Sequence, residues 1–158
     1  MRLLLLISSM LIVAACANEA PPDRNADESA LRALDQAYVD GWKLSGAAAQ
    51  DEAVMALFTE SAVIRPGLGT PPKRGADEIR AFWFPPDTPA TKIIVFDHTP
   101  DSIVVEGDLG VISGWYELRF EYGDIEYAQD GNYVTVARRQ PDNNWRVTQM
   151  IWNDNKLE

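Results

Sequence analysis

GVISGWYELRFEYGDIEYAQDGNYVTVARR, Gly110 to Arg139, is the stretch that decides the fold. Apolar and polar residues alternate along both halves, and Tyr122-Gly123-Asp124 punctuates the middle. Alternation has the period of a strand, and a Gly-Asp pair between two such runs is a hairpin signal. The stretch therefore predicts two long antiparallel strands, Gly110–Glu121 and Ile125–Arg139. The same period continues on both sides. Lys92–Thr99 and Ser102–Glu106 precede it, split by Thr99-Pro100-Asp101, and Trp145–Asn153 follows after Pro141-Asp142-Asn143-Asn144.

Upstream the period changes. Leu31, Leu34, Tyr38 and Trp42 recur at helical spacing and share one face. Asn25 or Asp27 can cap that helix, and Gly46 is a plausible stop. A second, short helix is expected from Gln50 to Phe58, a strand from Ser61 to Arg65, and a loop from Pro66 to Pro72. A third helix, Ala76–Phe84, turns Ile79, Phe82 and Trp83 to the core and ends at Pro85-Pro86. Helices first and meandering strands later make an α+β domain with a strongly curved antiparallel sheet, the helices over its concave face. Such an arrangement leaves a pocket between the layers.

The N-terminus has a different character. After Met1-Arg2, Leu3 to Ala15 carries no charge. A bilayer-spanning helix needs ~20 apolar residues, so this run is too short to span, but it has the length of a signal-peptide core. Val13-Ala14-Ala15-Cys16 closes it and resembles a bacterial lipobox, in which the cysteine becomes the lipidated first residue of the mature chain. Residues 1–15 read as a lipoprotein signal, 16–26 as a tether, and 27–158 as the domain. The address expected is a lipid anchor in the cell envelope, at the outer membrane facing the periplasm, because Ala17 is not the aspartate associated with inner-membrane retention. An ordinary secretory signal cut nearby is the alternative.

Charge and composition narrow the partners. The formal net charge is −10, which repels phosphate, so nucleic acid is not expected as a partner. Membrane contact would come from acyl chains on Cys16 and not from a basic patch. Cys16 is the one cysteine, so the fold has no internal disulfide. One histidine and one cysteine cannot make the usual zinc site, and the 24 acids show no EF-hand spacing, so neither metal nor cofactor is expected.

Several segments together resemble the nuclear transport factor 2-like superfamily, nearest its SnoaL-like and ketosteroid-isomerase-like branches. YVDGWKLSGAAAQDEAVMALFTESAVIRP (38–66) looks like the helix, short helix and first strand of that family, and KRGADEIRAFW (73–83) like its third helix. EGDLGVISGWYELRF (106–120) and GNYVTVARRQPDNNWRVTQM (131–150) look like its strand pairs. The resemblance implies a cone-shaped α+β barrel with an internal, mostly apolar cavity. It does not imply one activity.

In the isomerase branch an aspartate takes a proton beside a ketone, while a tyrosine and a protonated acid hold the oxyanion. Tyr38 matches the oxyanion tyrosine. The base position is occupied by Arg65, which cannot serve, and the second acid falls near Thr135. Another base, such as Asp97 or Glu117, would have to be recruited. The ligand-lining candidates are Tyr38, Trp42, Arg65, Trp83, His98, Tyr116 and Tyr133. Of the adjacent Trp115 and Tyr116, only one can point inward. His98 shares a strand face with Ile94 and Phe96 while Asp97 lies on the other, and a satisfied core histidine is the plain alternative to a catalytic one.

Three functions follow as expectations. The first is noncatalytic binding of a small apolar or amphipathic molecule. The second is a small isomerase- or cyclase-type enzyme. The third is an interaction module using the convex sheet face, with a homodimer possible. Were Arg65 to join Tyr38 in the pocket, the ligand would be an anionic amphiphile gripped by its carboxylate. Otherwise Arg65 extends to water beside Pro66.

Overall fold

The computed structural model describes residues 24–155, so the signal segment, Cys16 and most of the tether lie outside the described residues. The first helix, α1 (Arg24–Trp42), starts earlier than expected and takes in the last residues assigned to the tether. Its buried stripe holds Leu31, Leu34, Tyr38, Val39 and Trp42, as the spacing predicts, and also two acids, Asp27 and Asp35.

The second helix, α2 (Ala47–Met55), lies one turn upstream of the expected Gln50–Phe58. Gly46, at φ 97°, makes the break, and the alanine run after it starts a helix at once, since alanine has the highest helix propensity. Phe58 is consequently the first residue of β1 (Phe58–Arg65). After the short β2 (Lys73–Arg74), α3 (Gly75–Trp83) begins with Asp77 and Glu78 in its first turn. The Arg74 backbone N–H donates to Glu78 Oε2 at 2.8 Å, satisfying a donor that the helix start would leave orphaned.

Four long strands complete the chain: β3 (Lys92–Glu106), β4 (Leu109–Tyr122), β5 (Ile125–Arg139) and β6 (Trp145–Asp154). The expected division of β3 at Thr99-Pro100-Asp101 is not a turn. The strand runs through, with a register irregularity between Pro100 and Ser102. Proline has no N–H for the ladder, and β3 is an edge strand, where that loss is tolerated. A second irregularity between Ile93 and Val95 changes the facing of the first residues, so Ile94 is 40% exposed and does not share the inner face of Phe96 and His98.

The sheet order is β2-β1-β6-β5-β4-β3. It is curved and open, with β2 and β3 as edges, the cone-shaped α+β arrangement expected. Neighbours are antiparallel except β1 and β6, which are parallel. The core lies between the inner sheet face and the helices. Leu31, Val54, Ala62, Ile64, Ile79, Ile112 and Ala137 are fully buried there. Each large apolar side chain so buried contributes ~1.5–3 kcal/mol. The helix α1 crosses β3, β4 and β6, and α3 packs on β1. No helix among the described residues is long and apolar enough to cross a membrane.

Candidate functional site: a lined cavity with two carboxylate poles

Between the inner face of β3–β6, the helices α1 and α3 and the 66–70 loop lies a cavity of about 430 Å³. That is the size of a small-molecule site. Tyr38 and Trp42 enter from α1, Trp83 from α3, His98 from β3, Tyr116 from β4 and Tyr133 from β5. These six candidates line one cavity. Tyr116 points in and Trp115 points out, 40% exposed.

Arg65 is not with them. Ala62 and Ile64 are fully buried, so the inward parity of β1 is even, and Val63 and Arg65 face the outer side. There the Arg65 guanidinium donates to Gln149 Oε1 at 2.9 Å. Its expected place beside Tyr38 is corrected, and with it the carboxylate grip. Asp97 and Glu117 are likewise outside: both are exposed, and Asp97 meets Lys43 at 3.5 Å. Neither can serve as a cavity base. Thr135, at the second-acid position, is buried but does not line the cavity.

The acid that does reach the site was not anticipated. Asp35, 5% exposed, projects from α1 one turn before Tyr38. One carboxylate oxygen lies 2.9 Å from His98 Nδ1, and the other accepts the Tyr133 hydroxyl at 2.9 Å. The His98 ring stacks on Tyr133, centroids 4.0 Å apart, and lies 5.7 Å from the Tyr38 ring. A carboxylate at Nδ1 fixes the tautomer with hydrogen on that nitrogen, which leaves Nε2 as the acceptor. Nε2 has no hydrogen-bond partner among the described residues. His98 is therefore clamped on one side and open on the other. The sequence did carry a signal for Asp35: it stands four residues after Leu31, a charge inside an apolar stripe.

A second carboxylate stands on β6. Across the inner face, register places Tyr116 beside Gly131 and Gly131 beside Asp154. A Cβ at Gly131 would run into the Asn153 carbonyl and meet Tyr116 Cε1 at 3.1 Å. The bare glycine is what lets the Tyr116 ring lie across β5, and its hydroxyl donates to Asp154 Oδ1. On the other side the 66–70 loop comes down close: a Cβ at Gly67 would strike the Asp154 carboxylate. Asp154 falls one residue beyond the predicted last strand, in a stretch with no helical or strand repeat to orient it.

All three phenols are held neutral. Burial pushes Tyr38 up, and the nearby Asp35 charge adds to this; the Trp42 side chain acts the other way and is outweighed. Burial raises Tyr116 and Tyr133 as well, reinforced by Asp154 and Asp35 respectively. Tyr116 and Tyr133 spend their protons on carboxylates. No carboxylate takes the Tyr38 proton, and Tyr38 lines the cavity, so its hydroxyl can donate there. No group of three or more His, Cys, Asp or Glu side chains suited to a metal occurs among the described residues.

The sequence matches no protein-family model and no curated protein. Solved structures are similar in shape. A ketosteroid isomerase-like protein from Erwinia carotovora atroseptica superposes with a TM-score of 0.69 at 15% identity, over 84% of this chain and 99% of that one. A nuclear transport factor 2-like superfamily protein from Salmonella enterica gives 0.68 at 13% identity, over 84% and 94%. A protein from Novosphingobium aromaticivorans, described as nuclear transport factor 2-like with a cystatin-like fold, gives 0.63 at 15% identity, over 85% of each chain. At such identities the likeness is one of architecture, and this chain has the nuclear transport factor 2-like fold.

Proposed function

We propose that the cavity binds a small, largely apolar molecule and moves a proton on it, with His98 as general base and Tyr38 as the hydrogen-bond donor to the oxygen that gains charge. The observation that supports this is the Asp35–His98 pair beside an open cavity. Asp35 orients the imidazole and offsets the positive charge it acquires, as a carboxylate does for a histidine base. Nε2 takes a proton from carbon next to a carbonyl. The electron pair moves to the carbonyl oxygen, where the Tyr38 O–H, neutral and desolvated, stabilises it. The proton returns at another carbon, so the net change is an isomerisation. The base thus stands on β3, and not at the β1 position that Arg65 occupies.

The test is deuterium incorporation from D2O into a panel of cyclic unsaturated ketones, followed by mass spectrometry. Exchange well above buffer rates is expected, with His98→Ala slowing it by ~10²–10⁴-fold. Tyr38→Phe should slow it while leaving binding intact. Exchange no faster than buffer throughout the panel would remove catalysis and leave noncatalytic binding, which the largely aromatic wall favours in its own right.

We further propose that the domain works from a lipid anchor on Cys16 at the cell envelope. The Val13-Ala14-Ala15-Cys16 sequence after an uncharged run is what supports this. Cys16→Ser is expected to move the protein to the soluble fraction or block its processing. Correctly cut Cys16→Ser protein that stays with membranes would defeat the anchor.

A further inference from the structure

The wall of the cavity carries a charge preference that the isomerisation reading does not use. Ten of its lining side chains are Phe, Tyr or Trp, and none is Lys or Arg. Aromatic faces carry negative potential, and a cation over such a face within about 6 Å is attracted. Asp154 lines the same cavity, half-buried and without a cationic partner among the described residues. Its one described side-chain donor is Tyr116. A carboxylate has acceptor capacity for several donors, so capacity is left over. Asp154 and Asp130 both raise the Tyr116 phenol, as negative charges nearby do. Asp130 is tied to Asn155, which donates to it at 2.7 Å, and no ion pair to it occurs among the described residues.

We infer that the cavity selects a protonated amine on an apolar body, with the ammonium held at Asp154 against the surrounding aromatic rings and the apolar body directed toward His98. Three features converge on this. The carboxylate supplies a countercharge. Trp83 and Trp152, stacked with centroids 6.2 Å apart, supply π faces on the same wall. The chain's net charge of −10 draws cations to the mouth and repels anions. Gly67 has a part too, because only a residue without a side chain lets the loop lie against Asp154 and shield the pair from water. The inference rests on the cavity being a ligand site, as proposed above, but not on His98 turning anything over.

Binding of three matched probes to the full-length domain tests it, read through the native tryptophans: 1-naphthylmethylamine, 1-naphthylmethanol and 1-naphthoate. The amine is expected to bind at least tenfold more tightly than the alcohol, and the carboxylate most weakly. Asp154→Asn keeps the shape and the Tyr116 hydrogen bond but removes the charge, and should bring amine and alcohol to within about twofold. Should Asp154→Asn unfold, Tyr116→Phe offers a second route: it frees Asp154 Oδ1 while leaving the charge, so the amine preference should persist or grow. Equal affinity for amine and alcohol in the unmutated protein would overturn the inference. So would a preference that survives Asp154→Asn, or no binding of any probe. A clear amine preference without deuterium exchange would uphold it while removing the isomerisation reading.

Discussion

Asp35 and Asp154 are both aspartates that accept the hydroxyl of a tyrosine lining one cavity, yet they differ in what surrounds them. Asp35 is 5% exposed and engages both oxygens, one with His98 and one with Tyr133. Asp154 ends a strand, is half-buried, and has Tyr116 as its one described side-chain donor. A buried carboxylate is tolerable only when its hydrogen bonds are made, so Asp35 must be saturated by the protein itself. A carboxylate at the rim is spared most of that cost and can keep acceptor capacity for a ligand. One pole is built to hold a residue still and the other to receive something.

The largest expected difference is in stability. Asp35→Ala leaves the Tyr133 hydroxyl and the His98 Nδ1–H buried without an acceptor. The cost should be ~2–4 kcal/mol, as two orphaned buried donors imply. Asp154→Ala frees a single phenol at the rim, where water can replace the carboxylate, and should cost less than ~1 kcal/mol. Urea denaturation of both variants decides it. Equal losses would mean that the two poles are energetically alike and that the contrast in burial has no thermodynamic consequence.

The second expectation uses the tyrosines that serve the two poles. Burial raises the phenols of Tyr38, Tyr116 and Tyr133 in the folded protein. In the unfolded chain they ionise near their ordinary ~10. Below that range both states hold the proton and stability is unaffected. As pH rises above it, the unfolded state loses protons that the folded state retains, so stability must fall. The alkaline decline should begin near pH ~10 and flatten in Tyr133→Phe. A stability profile level through that range would mean the phenols are more hydrated than the cavity wall allows.

Much of this site was legible beforehand, and the reason is periodicity. Tyr38 and Trp42 follow from a 3.6-residue stripe, and Tyr116 over Trp115 from strand alternation. Asp35 was equally legible by position, since a charge on an apolar stripe must find a buried partner, but its partners lie 63 and 98 residues away and no local pattern names them. The facing of Ile94 was lost for a different reason. A bulge shifts parity by one, and a bulge in the run Lys92–Val95 has no proline or glycine to announce it. Where proline did interrupt β3, at Pro100, it read as a turn, because only the edge position of the strand makes a continuous run tolerable.

Arg65 gives the smallest expected effect, and it sharpens the comparison by standing outside it. Family likeness placed this residue where the base should be, and parity with Val63 could not say which face was inside. The buried neighbours decide: Ala62 and Ile64 are closed to solvent, and Arg65 therefore lies on the far side of the sheet from both poles. Its contact is a single hydrogen bond to Gln149 on an exposed surface. Surface substitutions of that kind change stability by no more than ~0.5 kcal/mol in either direction. Arg65→Met is thus expected to leave the melting temperature, the deuterium exchange and the order of amine, alcohol and carboxylate probes as they are. Had a guanidinium faced the cavity, the same change would have abolished a preference for carboxylates and raised the affinity for amines. A shift of the probe order in Arg65→Met would place that charge back within reach of the ligand.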